Sequence, residues 1–323
     1  MNPKDRVVMI PKIGDYGKPL GYLVKECLGC KIVECPPITK LTVEVGAKHS
    51  PDTVCTPFKI IMGNFIEALQ LGVNTLMMPG FGCRLGFYDM LHKQILTDLG
   101  YKFDMVALCD YMATPQRIFK TLNELNPELT QDKFAKVFQK TCEMVIAMDD
   151  KRKAGYWKPN PTLRIGLVGD LYTVMEPHAN CDIERWLSDN NIEIVRPTDL
   201  TFLAQNIFDI PGLISQSGGY VDYGLGGNAN CTIMQVYNMV GGQPQNGQDK
   251  NVQGLPIVDG IIHMKAATCA PEISAMTILQ DISRDFNIPI MYLTFDTETG
   301  EAGLHTRLEA FCDMLTMKKE KSK

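Results

Sequence analysis

No stretch of this 323-residue chain approaches 18 consecutive apolar residues, so no membrane-spanning helix is expected. No long basic run is present and the net charge is −5, which argues against a general affinity for nucleic acid or anionic membranes. The chain carries no G-x-x-x-x-G-K-[ST] phosphate loop, no obvious actin-like ATPase motif and no repeat of solenoid period. Its opening residues, M-N-P-K-D-R, lead straight into V-V-M-I without the charged-then-apolar pattern of a secretory leader. A cytoplasmic protein is the expectation. Hydrophobic residues make up 45% and charged residues 21%, ordinary values for a globular protein, and the length favours two lobes over one.

Cysteine is what the chain has in plenty. Eleven is a high and odd number, and a disulfide framework does not suit a reducing compartment, leaving metal binding, redox chemistry or burial. Three cysteines share one setting: Cys55 in S-P-D-T-V-C-T-P-F-K, Cys83 in M-M-P-G-F-G-C-R-L-G-F-Y and Cys269 in K-A-A-T-C-A-P-E. Each precedes a helix-like run, and the last two follow a strand-like run. A sulfur there faces unpaired N–H groups and the positive end of a helix dipole, which favours thiolate. Several such thiolates suit an iron–sulfur cluster. Pro57 and Pro271 fit a first helical turn. Gly82 and Gly86 would let backbone approach inorganic sulfide, and Arg84 either offsets the charge of a reduced cluster or forms a surface salt bridge.

Elsewhere burial is the simpler account of cysteine. Cys142, Cys181 and Cys312 sit within helix-like runs, while Cys27 ends a helix and Cys30 begins a strand, so that C-x-x-C pair reads as packing rather than as a redox or zinc site. Cys109 at a strand end and Cys231 after G-L-G-G-N-A-N remain open as additional ligands. The glycine-rich segment Gly218–Gly227 is not a dinucleotide fingerprint and reads equally as a flexible loop, a CoA-phosphate contact or a cap over the cluster. His49 and His263, near Cys55 and Cys269 in sequence, read as proton relays or as hydrogen-bonded structural histidines. Asp296, Glu298, Glu301, Arg307 and Glu309 form a polar group better suited to fixing a loop than to acid–base work.

Strand-like and helix-like runs alternate throughout, the pattern of an α/β protein with mainly parallel sheets. Strands are expected at Val7–Ile10, Lys31–Glu34, Val73–Met78, Met105–Leu108, Leu163–Val168, Ile192–Val195, Ile257–Met264 and Pro289–Phe295. Helices are expected at Gly21–Leu28, Phe58–Leu71, Phe87–Leu99, around Ile183–Ser188 and from Pro271, with a long helical stretch over Pro115–Ala154 broken near Pro127. The segment D-D-K-R-K-A-G-Y-W-K-P-N-P reads as a connection. The expected architecture is two Rossmann-like lobes, 1–155 carrying Cys55 and Cys83 and 156–323 carrying Cys269, with an inter-lobe cleft at the carboxyl ends of the strands. Whether the C-terminal helix packs back on the first lobe is left open.

Most of the chain resembles the superfamily of 2-hydroxyacyl-CoA dehydratase and benzoyl-CoA reductase subunits, and in particular its CoA protein activase-related branch. The resemblance runs through C-T-P-F-K-I-I-M-G-N-F-I-E-A at 55–68, G-C-R-L-G-F-Y at 82–88, R-I-G-L-V-G-D-L-Y at 164–172 and C-A-P-E at 269–272. Its most specific part is F-D-T-E-T-G-E-A-G-L-H-T-R-L-E-A-F at 295–311. It implies a [4Fe–4S] cluster on Cys55, Cys83 and Cys269. It also implies a separate ATP-hydrolysing iron–sulfur activator that delivers one low-potential electron, an acyl-CoA substrate dehydrated or reduced through a ketyl radical, and a homo- or heterodimeric, anaerobic setting. One branch carries a double-cubane cluster, for which Cys109 and Cys231 would be the spare ligands. Two other readings stay open: a cluster-bearing regulatory or electron-transfer component without turnover, and a CoA-binding protein without metal.

Overall fold

The computed structural model describes residues 1–80, 88–108, 114–207, 209–242 and 257–321. They form two compact units, Met1–Met148 and Asp149–Lys323. Each unit is an α/β layer built on a four-stranded, all-parallel sheet, so the expectation of two Rossmann-like lobes is met.

In the first unit β1 (Val7–Met9), α1 (Gly17–Leu28), β2 (Lys31–Ile32), α2 (Lys40–Lys48), α3 (Thr56–Gln70), β3 (Thr75–Met78), α4 (Tyr88–Asp98), β4 (Asp104–Ala107), α5 (Pro115–Leu125) and the start of α6 (Gln131–Tyr156) follow one another. The strand order is β2-β1-β3-β4, with Val8 opposite Ile32 and Thr75, and Leu76 opposite Met105. Val8, Leu23, Val24, Cys27, Met77, Ile118 and Leu122 make the core between this sheet and α1 and α5.

The second unit contains β5 (Leu163–Gly169), α7 (Leu171–Met175), α8 (Ile183–Asp189), β6 (Ile192–Val195), α9 (Leu200–Asn206), α10 (Ile210–Ser215), α11 (Ala229–Met239), β7 (Gly260–Ala266), α12 (Ala270–Asp285), β8 (Ile290–Phe295) and α13 (Glu301–Lys321). Its order, β6-β5-β7-β8, repeats that of the first sheet. Both faces are covered, which explains why β7 reads as a continuous buried run rather than an alternating one. Ile262 and Met264 face a cluster that includes Leu304, Leu308, Phe311 and Leu315, whereas Ile261 faces Val236, Ala275 and Leu279. The C-terminal helix therefore closes the second unit's own sheet. Each fully buried Leu or Ile there contributes roughly 1.5–3 kcal/mol of burial free energy.

Three further differences from the sequence reading have physical causes. The stretch read as a connection from Asp149 is helical through Tyr156. Asp149 accepts from the Thr201 amide and hydroxyl at 3.0 and 2.6 Å, and Lys153 meets the buried Asp199 at 2.6 Å. These charges are consumed by tertiary pairing, so their density does not signal a solvated linker. Cys181 is not inside a helix: it follows a short 3-10 turn at Pro177–Asn180, with φ 55°. Helix α2 was not anticipated, because its β-branched residues alternate like a strand; a reciprocal Thr39–Thr42 capping box starts it. Among the described residues no helix is long and apolar enough to cross a membrane.

α2 crosses α3 at two glycines. A methyl group on Gly46 would overlap the Lys59 carbonyl oxygen, and one on Gly63 the Thr42 carbonyl oxygen. Thr42 also donates to Glu67 at 2.7 Å across the same contact. Gly46→Ala is expected to destabilise the chain by about 3 kcal/mol in urea unfolding. The control Gly155→Ala, whose added carbon meets nothing within 4 Å, should stabilise by about 1 kcal/mol. A neutral Gly46→Ala would contradict the close crossing.

Candidate functional site

Cys55 is the N-cap of α3, with extended backbone (φ −70°, ψ 160°). Its carbonyl accepts from the Phe58 and Lys59 amides, opening the helix, and Pro57 occupies the first turn where no amide is needed. The side chain makes no capping hydrogen bond. Instead the Tyr88 hydroxyl at the start of α4 lies 3.0 Å from Sγ. A phenol is the better donor of the two, so this contact favours an electron-rich sulfur.

An aromatic clamp fixes that hydroxyl. His92, one helical turn beyond Tyr88, stacks on Phe58 at 3.7 Å with planes 12° apart, and its Nε2 donates to the Phe58 carbonyl at 3.1 Å. Tyr88 meets Phe58 edge-on at 5.1 Å. The first turn of α3 and the first turns of α4 are thereby tied together around Cys55. His92 is fully buried, and burial lowers its pKa to about 4, so it is neutral at physiological pH.

In the second unit Cys269 is the N-cap of α12 and has the same local plan: no side-chain capping bond, Pro271 in the first turn, and a carbonyl accepting from the Ile273 amide at 3.0 Å. Thr268 turns the chain from β7 into this helix at φ 66°, an uncommon conformation for a β-branched residue that stores backbone strain beside the cysteine. Glu272, the last residue of C-A-P-E, is fully buried. Its carboxylate meets His263 Nε2 at 2.8 Å and accepts from the Thr232 hydroxyl at 3.2 Å. His263 thus has a hydrogen-bonded place in the core, one of the two readings open for it.

The surrounding polar groups come from distant parts of the chain. Asp170, directly after β5, accepts from the Thr173 amide at 2.9 Å and the Ala266 amide at 2.5 Å, and burial raises its pKa. Asn228 donates to the Gly169 carbonyl at 2.8 Å. Gly169 is required to be glycine, because at φ 140° a side-chain carbon would overlap the Met264 carbonyl oxygen. Gly227 lies against Pro271, where an added carbon would stand 3.4 Å from the proline ring. The end of the glycine-rich segment therefore borders the Cys269 turn. β5 and β7 are neighbours whose connections depart to opposite sides, the switch point at which open α/β sheets form crevices. Asp170, Thr232 and Asn228 escaped the sequence reading because nothing local marks them.

Six of the other described cysteines differ. Cys27 and Cys30 lie in the first unit's core, and burial lifts the Cys27 thiol to about 11 and raises that of Cys30. Burial likewise raises the thiol pKa of Cys142, Cys181 and Cys312. Cys231 packs with Leu213 and Met234, its thiol pushed upward by burial, which is the setting of a core residue. Gly82, Cys83, Arg84, Gly86 and Cys109 lie outside the described residues. Among the described residues no group of three or more His, Cys, Asp or Glu side chains is placed to hold a metal ion.

No known protein family and no curated protein matches the chain. Among solved structures, a Cd-bound periplasmic metal binding protein from Candidatus Liberibacter asiaticus is similar over 96% of this chain and 100% of its own, at 10% identity and a TM-score of 0.29. A likeness of that size carries no argument about function.

The His92 clamp has a pH signature. Its folded pKa of about 4 lies below the ordinary 6.5, so the unfolded chain binds the extra proton first. The clamp's contribution is complete above pH 6.5 and is lost as pH falls toward 4, a change of order 3 kcal/mol. Urea unfolding between pH 7 and 4 should show it, and His92→Phe should flatten the slope. An unchanged slope would contradict a buried neutral histidine.

Proposed function

We propose that this is a cytoplasmic [4Fe–4S] protein whose ligands are Cys55, Cys83 and Cys269. It accepts a low-potential electron from an ATP-hydrolysing activator and uses it to dehydrate or reduce an acyl-CoA-type substrate, as the resemblance to the 2-hydroxyacyl-CoA dehydratase superfamily implies. The observation that carries the proposal is the shared plan of Cys55 and Cys269. Both are N-caps of long helices and both precede a first-turn proline. The donor set suits an anionic cluster: thiols at the positive ends of helix dipoles, one with a phenol hydroxyl at its sulfur.

When bound, the cluster supplies one-electron chemistry at low potential. The chain's own residues set the conditions for it. The dipoles of α3 and α12 stabilise thiolate at Cys55 and Cys269, and the Tyr88 hydroxyl donates to Cys55 Sγ and eases added negative charge. Phe58 and His92 hold that hydroxyl in place. Glu272 anchors the first turn of α12 to β7 through His263, so the cysteine three residues earlier has a fixed base.

Iron and acid-labile sulfide analysis after anaerobic purification tests the reading directly. About four of each per chain are expected, with loss in Cys55→Ala and Cys269→Ala while circular dichroism stays unchanged. Iron-free protein after anaerobic reconstitution would overturn the proposal. ATP-dependent reduction by the activator followed by substrate loss is expected; reduction without turnover would favour the regulatory reading. Tyr88→Phe should lower the midpoint potential by about 40 mV, the equivalent of one hydrogen bond of about 1 kcal/mol for one electron.

A further inference from the structure

A separate feature of the first unit involves none of these cysteines. Between the carboxyl ends of β1 and β2 and the start of α1 lies a cleft of about 380 Å³, within the size range of small-ligand sites. Its walls come from the loop P-K-I-G-D-Y-G-K that joins β1 to α1, from the first turns of α1, and from the residues that end β2.

Three glycines give the loop and helix their shape. Gly14, at φ 50°, makes the left-handed turn that brings the chain back over the sheet edge. Gly17, the first residue of α1, faces open space: an added side-chain carbon would meet nothing within 4 Å. Gly21 lets α1 approach β2, since a carbon there would stand 3.3 Å from Ile32 Cγ2. A tight turn, an open backbone and a close helix–strand contact are the three tasks of glycine in dinucleotide-binding turns. Here they fall at G-x-x-G-x-x-x-G rather than at the usual spacing, which is why the sequence motif is not seen.

The polar and apolar walls divide the cleft. Lys12, Lys18 and Lys25 and the Asp15 carboxylate line the cleft together with the start of α1, whose N-cap, Tyr16, has no side-chain capping bond. Three cations against the carboxylates of Asp15 and Glu34, with the positive end of the helix dipole, suit phosphate. Tyr22, Ile32 and Val33 form an apolar wall suited to a base. Glu34 lies just past β2, 20 residues after Gly14, where an acidic side chain accepts from both ribose hydroxyls in dinucleotide-binding folds.

We infer that this cleft binds a nucleoside 5′-phosphate with free 2′ and 3′ ribose hydroxyls. Lys12, Lys18 and the start of α1 hold the phosphates, and Glu34 holds the ribose. A Glu34 carboxylate accepts from a free diol and repels a 3′-phosphate, so the site discriminates against coenzyme A, which carries one. The inference does not rest on the cluster, and it holds or fails in metal-free protein.

Isothermal titration of the full chain with ADP tests it. Binding to wild type is expected, with coenzyme A at least about tenfold weaker. Glu34→Gln should weaken ADP by about tenfold and narrow the gap to coenzyme A. Gly17→Leu fills the open space beside the phosphate position and should abolish ADP binding without lowering the melting temperature. The absence of ADP binding at concentrations up to about 1 mM would overturn the inference. So would ADP binding that neither variant alters, because the nucleotide would then sit elsewhere. Coenzyme A binding more tightly than ADP to wild type would overturn the assignment of Glu34 to a free ribose.

Discussion

Within each of the two sheets the described strands are all parallel, and each unit is arranged around that fact. A parallel strand must be followed by a crossover, so each chain segment leaves the sheet at one edge and begins a helix near it. The carboxyl edge therefore collects helix N-termini, with unpaired amides and the positive ends of dipoles. Cys269, Asp170 and the Gly14–Gly17 loop all stand at such strand-to-helix turns, and Cys55 stands at the start of a helix inside a crossover. Chemistry that needs electron-rich sulfur or bound phosphate has these positions to use in each unit.

The two units furnish their edges differently. Around Cys55 the supporting groups are aromatic, and neutral His92 stacked on Phe58 fixes the phenol of Tyr88 without placing a charge beside the sulfur. Around Cys269 they are polar and buried, with His263, Glu272, Thr232, Asp170 and Asn228 in hydrogen-bonded contacts that tie α11 and α12 to β5 and β7. Such contacts are worth having only when their partners are all in place, since each buried group left without one costs about 1–3 kcal/mol.

The strands were legible because buried parallel strands are rich in apolar residues, as T-L-M-M at β3 and the I-I of β7 illustrate. The cysteine turns were legible because C-T-P and C-A-P place a proline where only a first helical turn tolerates it. Short helices such as α7, α9 and α10 were not, since five to seven residues leave no periodicity to read. α2 was hidden by strand-like alternation, and the end of α6 by charges that turned out to be paired within the second unit. Of the contacts around Glu272, only a hydrogen-bonded role for His263 was among the readings; Asp170 and Thr232 are far off in sequence and ordinary in their local settings. Glu34 and Gly14 escaped for the same reason, since only the fold brings them to one cleft.

The proposed ligands of one four-iron cluster are Cys55, Cys83 and Cys269. Mössbauer spectroscopy of the full chain, reconstituted anaerobically with enriched iron, tests that proposal most directly. The expected spectrum is that of a single [4Fe–4S] cluster with one iron distinct from the other three, unchanged when Cys109 and Cys231 are both replaced by alanine. A spectrum without cluster iron, or one that collapses in that double variant, would contradict it.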